Sequence, residues 1–219
     1  DKRGNIASTT QTNNTVSMND NRIAMEKELR FYASTSRDFA VVKTGANNMM
    51  MKWKRGGSES YVNLFSFDNA GTFTSTKSQR VTVSSYGYTD LIKGPGNLFI
   101  SAEQGYKRRD NVNRWGLLVS TLSTDGKDDV YVVDTERMTQ NLTDNNNSYY
   151  RSPSITALND SIYAIGYRGF SYDGFIETFK VETSGKITRL KSYEYDVNES
   201  NFNKLVRVDS NTVAMIYRG

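Results

Sequence analysis

Two seven-residue stretches of this chain are nearly the same: Tyr163-Ala-Ile-Gly-Tyr-Arg-Gly169 and Val213-Ala-Met-Ile-Tyr-Arg-Gly219. Weaker relatives stand at Phe39-Ala-Val-Val-Lys-Thr-Gly45 and Phe99-Ile-Ser-Ala-Glu-Gln-Gly105. A repeat of roughly 50–60 residues constrains the fold more than local propensity does, because each copy must be one supersecondary unit stacked on its neighbours. All four copies end in glycine, and Ala40, Ala164 and Ala214 recur five places earlier, where a small residue suits a strand that its neighbours approach closely.

The surroundings recur as well. Ahead of a copy lies a short apolar strand with a polar turn: 155–158 then Asn159-Asp-Ser161, 205–208 then Asp209-Ser-Asn211, and 89–93 then Gly94-Pro-Gly96. Behind it comes a longer strand (61–67, 115–122, 175–181), a turn rich in Gly, Asn or Asp, and a last strand (72–81, 130–138, 187–195). Those turn residues supply the positive φ that tight hairpins need. Helical periodicity is absent except for an ambiguous stretch at 22–30. The third strand is apolar on both faces, the mark of a sheet covered on both sides.

The pattern predicts an all-β chain built as a β-propeller of four-stranded antiparallel blades. The blades fall at about 28–81, 89–138, 153–195 and 203–219 plus 5–25. The last joins the N- and C-terminal strands in one blade, which closes a four-bladed ring and hides its edges. A half-ring that dimerises, a fragment of a longer array of blades, and a β-sandwich are the alternatives.

Composition narrows the chemistry. The 219 residues include no cysteine and no histidine, so disulfides, thiolate chemistry, Ser–His triads and histidine metal sites are excluded. No cofactor is expected. The carboxylates Asp125, Asp128 and Asp129 lack the alternation of a calcium loop. Net charge is +4. No apolar run reaches the roughly 20 residues that span a bilayer. The chain starts at Asp1, which suggests a processed product from which a leader was removed.

In such blades the second-to-third and fourth-to-first connections share one face, and that face collects cations and aromatics. The predicted loops there carry Met49-Met-Met followed by Lys52, Trp53, Lys54 and Arg55; Tyr106, Lys107, Arg108 and Arg109 with Arg114 and Trp115; Arg168 with Tyr172; and Arg218, adjoining Lys2 and Arg3 once the ring closes. Guanidinium groups take carboxylate, sulfate or phosphate in a bidentate fork, and aromatic faces stack on sugar rings. Core packing is the competing role for both tryptophans, and solvation the competing role for the charges. Met49 to Met51 read as a plug for a central channel. Five Asn-x-Ser/Thr sequons, at Asn13, Asn141, Asn146, Asn159 and Asn198, read as chance matches in an Asn-rich chain.

Pro153-Ser-Ile-Thr-Ala-Leu-Asn-Asp-Ser161, Tyr167-Arg-Gly169, Asp173-Gly-Phe-Ile-Glu-Thr178 and Gly185-Lys-Ile187 resemble the β-propeller repeats of exported bacterial and archaeal surface proteins. That resemblance implies an extracellular or cell-surface location and an architecture rather than one activity. The sialidase Asp-box has glycine two places after its aspartate. In Ser66-Phe-Asp-Asn-Ala-Gly-Thr-Phe73 the spacing is three, so sialidase catalysis does not carry over.

The function expected from these features is a non-catalytic module that binds a polar or anionic glycan on the loop-rich face. The alternatives are a glycosidase or lyase, with Glu59 and Glu103 as the first acids to consider, and protein–protein adhesion or assembly. Nucleic acid ranks last because no motif accompanies the charge.

Overall fold

The computed structural model describes residues 10–12, 28–30, 37–55, 59–69, 72–75, 78–82, 85–109, 112–124, 129–138, 151–169 and 172–219. Every element there is a strand or a turn, apart from a single helical-turn position at Tyr172. A two-stranded ribbon pairs β1 (Thr10–Thr12) with β2 (Glu28–Arg30). Sheet I holds β3 (Arg37–Lys43), β4 (Asn48–Arg55) and β5 (Glu59–Phe67), whose outer edge pairs with β6 (Phe73–Ser75) and β7 (Gln79–Thr82). Sheet II runs in order β8 (Ser85–Lys93), β9 (Leu98–Arg109), β10 (Val112–Thr124) and β11 (Val130–Arg137). Sheet III is β12 (Arg151–Ala157), β13 (Ile162–Arg168), β14 (Gly174–Val181) and β15 (Ile187–Asp196). Sheet IV pairs β16 (Asn201–Arg207) with β17 (Val213–Arg218).

The sheets are arranged radially. First strands pack in series, β3 on β8, β8 on β12 and β12 on β16, while β7 meets β11 and β11 meets β15 at the outside. Stacked sandwich layers would not sort first strands to one line and last strands to another. The core lies between sheets, as expected from strands apolar on both faces. Met50, Val62, Leu91, Phe99 and Leu122 fill the gap between sheets I and II. Ile100, Leu117, Val119, Tyr163, Ile165 and Phe179 fill that between II and III. Side chains also bond across the gaps: Asp90 accepts the N–H of Ile155 at 2.7 Å and Ser154 that of Leu205 at 3.0 Å.

Two expectations need correcting. Phe39 to Gly45 was aligned with the second strands of the other blades, but it belongs to β3, a first strand, and its turn. The true counterpart of Tyr163–Arg168 is Met49–Lys54: Arg37 pairs with Lys54 as Arg151 pairs with Arg168 and Asn201 with Arg218. Met50 is therefore core and not a channel plug. The N-terminal part of the terminal blade expected at 203–219 plus 5–25 lies mostly outside the described residues; within them β1 pairs with β2 and β16 with β17.

One device recurs in all four sheets. Each first strand slips register near its start, between Arg37 and Ala40, Gly87 and Thr89, Arg151 and Ser154, and Asn201 and Lys204. Within each slip one residue takes a left-handed backbone: Asp38 (φ 57°), Tyr88 (48°), Ser152 (51°) and Phe202 (52°). Such bulges bend a strand and re-aim its side chains, and they gather at rims and functional sites. A non-glycine residue there costs about 1–2 kcal/mol. Four strained bulges at one place in the repeat mark the face where chains enter the first strands.

Candidate functional site

The cationic stretch 49–55 lies in a strand, and its first members point into packing. Lys52 is buried, with Nζ 2.9 Å from Glu103 Oε1 and donating to Ser101 Oγ at 3.1 Å. Ser60 donates to the other Glu103 oxygen at 2.6 Å. The pair joins sheet I to sheet II, which accounts for a lysine that alternation alone would put in the core. Trp53, also buried, donates Nε1 to Asn63 Oδ1 at 2.8 Å and stacks on Tyr61 with ring centroids 5.1 Å apart. Lys54 is buried as well. Glu59 accepts from the Tyr61 hydroxyl at 2.7 Å and pairs with Arg80 at 3.0 Å. Both acids considered first for catalysis thus sit in hydrogen-bonded ion pairs.

Tyr106, Lys107, Arg108, Arg109 and Arg114 do not form a loop. Their backbone continues the β9–β10 hairpin, with Tyr106 opposite Trp115 and Lys107 opposite Arg114. The side chains of these residues and of Arg55 lie outside the described residues, as do Lys2, Arg3 and the sequons at Asn13, Asn141 and Asn146.

What the fold does assemble is centred on Arg168. It ends β13, is only 5% exposed, and donates Nη1 to Asn201 Oδ1 at 2.6 Å across the gap to sheet IV. Its guanidinium carbon lies 4.7 Å from the centroid of the Tyr172 ring, a cation–π contact. Tyr172 is exposed and holds φ at 75°, a strained geometry for an aromatic residue, while its carbonyl accepts the Ser200 N–H at 2.9 Å. The connection after β13 and the one entering β16 are thereby tied together. Arg218, on the equivalent position of sheet IV, is exposed.

Acceptors and hydroxyls flank these cations. The Tyr195 hydroxyl bonds Ser200 and donates to Asn203 Oδ1 at 2.7 Å; burial pushes its pKa up to about 12. Asn203 is buried, and its Nδ2 has no hydrogen-bond partner. Burial, and then the neighbouring charges of Glu194 and Asp196, raise the Asp173 pKa. The Asn198 N–H and the Tyr217 hydroxyl hold the Asp196 carboxyl below its usual range. The face is therefore mixed, with guanidinium donors, two aromatic rings, amides and carboxylates within one pair of connections. Sequence reading reached Arg168, Tyr172 and Arg218. It gave Asn201 only as part of the Asn-rich connection 198–203 on the same face, with no role of its own.

The opposite face carries an open groove of about 840 Å³ between the turns of sheets II, III and IV, with Lys93, Lys180 and Arg207 among its walls and Asp160 and Glu182 facing them.

No family model matches the sequence, and no curated protein does. Among solved structures, the NanB sialidase of Streptococcus pneumoniae, in complex with 2-[(3-chlorobenzyl)ammonio]ethanesulfonate, matches with a TM-score of 0.57 and 10% identity. The match covers 92% of this chain and 31% of the sialidase chain, so this chain spans under a third of that one. At that identity the likeness is one of fold, and it agrees with the radial order of the sheets.

Proposed function

We propose that this chain is a non-catalytic binding module for a polar or anionic glycan, taken on the face where Arg168, Tyr172, Asn201 and Arg218 meet. The observation that carries the reading is the Arg168 guanidinium, desolvated and held between Asn201 and the Tyr172 ring. An arginine fixed in this way loses little entropy when it accepts an anionic or hydroxyl-bearing partner. Tyr172 offers an exposed ring for a sugar face. The carboxylates and amides alongside suit a ligand rich in hydroxyls better than a bare polyanion. The fold neighbour is a sialidase, which is in keeping with a glycan ligand. Display at a cell surface belongs to the same proposal.

The test is a glycan array run at low and high salt, with Arg168→Met and Tyr172→Ala alongside the wild-type chain. Binding should concentrate on acidic or polar glycans, weaken with salt and fall about tenfold or more in each variant. No glycan bound by the folded wild-type chain, or equal binding by the variants, would overturn the proposal. Turnover of a bound glycan into a shorter product would move the assignment to the glycosidase or lyase reading.

A further inference from the structure

The same strand positions can be compared from sheet to sheet, because the register aligns them. On the side facing the next sheet, Lys52, Ala102, Gly166 and Ile216 are equivalent, each paired with the residue two places after the left-handed residue of its first strand: Ala40, Asp90, Ser154 and Lys204. Lys52 is 1% exposed and Ala102 0%, but Ile216 is 71% exposed. One pair of residues further along, Met50, Ile100 and Ala164 are buried, whereas Ala214 is exposed and Val206 opposite it is 52% exposed. On the side facing the preceding sheet, Leu91, Ile155 and Leu205 are 3%, 4% and 3% exposed, but their counterpart Val41 is 54% exposed. Phe39, two residues away on the same side, is exposed too.

Among the described residues the arc of sheets therefore ends in two open faces, although Met51 and Trp53, further out on sheet I, are buried. One is the forward face of sheet IV (Val206, Ala214, Ile216) and the other the inner part of the rearward face of sheet I (Phe39, Val41). Three successive interfaces within the chain bury a forward face against a rearward one, so these two are the unmatched halves of the same kind of contact. We infer that a second copy of the chain fills each: the forward face of sheet IV in one copy packs on β3 of the other, and the reverse contact completes a closed pair. The contact is heterologous, and such contacts close into rings when the rotation allows. Charge agrees with it. At the sheet III–IV gap Arg168 reaches the bulge of the next first strand. Its counterpart Arg218 would meet the bulge of β3, whose left-handed residue is Asp38, an acid where the other bulges carry Tyr88, Ser152 and Phe202.

Because the chain has no cysteine, the pair Val41→Cys/Ile216→Cys tests the contact directly. Oxidation should give a covalent dimer, and sedimentation of the wild-type chain should give twice the chain mass. Val41→Arg and Ile216→Arg should each weaken self-association about tenfold or more. An equimolar mixture of the two should recover part of it, since one of the two contacts then pairs unaltered faces. Both residues are exposed in the single chain, so the far-ultraviolet circular dichroism of each variant should be unchanged and loss of fold separable from loss of contact. A monomer at all concentrations would overturn the inference. So would an oxidised product cross-linked within one chain, or association that responds to Ile216→Arg and not to Val41→Arg, the mark of a symmetric contact through sheet IV alone.

Discussion

Tyr167 donates its hydroxyl to Glu177 across 2.5 Å, inside the apolar gap between sheets II and III. The second carboxylate oxygen takes Nε and Nη2 of Arg189 at 3.2 and 3.0 Å. Burial raises the Glu177 pKa, and the hydroxyl and guanidinium only partly offset it. For a carboxyl whose folded pKa lies above its unfolded value of about 4.3, the unfolded chain releases the proton first as pH rises. The contribution of Glu177 is therefore most favourable below that value, declines as pH rises towards the folded pKa, and is constant above it. Urea midpoints of the wild-type chain and of Glu177→Gln, measured from acid to neutral pH, should diverge across this window in favour of the glutamine variant. Parallel curves would show that the carboxyl titrates alike in both states.

Lys52 and Glu103 form another buried ionic contact, at 2.9 Å between sheets I and II. Removing one partner strands the other without its charge, so Lys52→Met should cost about 3–5 kcal/mol. Removing both leaves two apolar chains in an apolar gap, and Lys52→Met/Glu103→Leu should recover most of the loss. Equilibrium urea unfolding of the two single variants and the double variant measures this. Additive losses would mean that the two charges are not coupled.

Gly166 lies where sheet IV packs tightly on sheet III. A Cβ there would lie 3.0 Å from Met215 Sδ and 3.3 Å from the Leu205 side chain. Gly166→Val should overpack the gap at a cost of about 1–3 kcal/mol, and Met215→Ala in the same chain should return part of it. Thermal melts suffice as a readout. A Gly166→Val chain as stable as the wild type would mean that sheet IV is not packed against β13.

How far these features could be read beforehand depended on where their partners lay in the chain. Hairpin turns and strands are local, and the quartets of sheets II and III stand close to where alternation and turn residues put them. Tyr-Arg-Gly repeats led to Arg168 and Arg218 for the same reason. Phe39 to Gly45 misled because a β-branched run ending in glycine looks the same as a first or a second strand; pairing decides, and pairing is not local. Lys52 looked like a loop cation because Glu103, which neutralises it, is far along the chain. The bulges left no glycine signal, since Asp38, Tyr88, Ser152 and Phe202 occupy the left-handed positions.

Those bulges carry a prediction of their own. Phe202 is 66% exposed, so its side chain contributes little packing, yet it holds φ at 52°. Glycine adopts that backbone without a Cβ clash, although it brings an entropy cost of its own, about 0.5–1 kcal/mol. Phe202→Gly should therefore be neutral or slightly stabilising, in contrast to glycine elsewhere in a strand. Phe202→Val should destabilise, because a β-branched side chain disfavours positive φ. At Val206, an exposed position two pairs along with ordinary strand geometry, the order should reverse, with Val206→Gly less stable than the wild-type valine. Urea midpoints of the wild-type chain and the three variants decide it. If glycine is the worse substitution at both positions, the left-handed residue at the start of β16 is not strained, and its recurrence in four sheets needs a cause other than a bend imposed on each first strand.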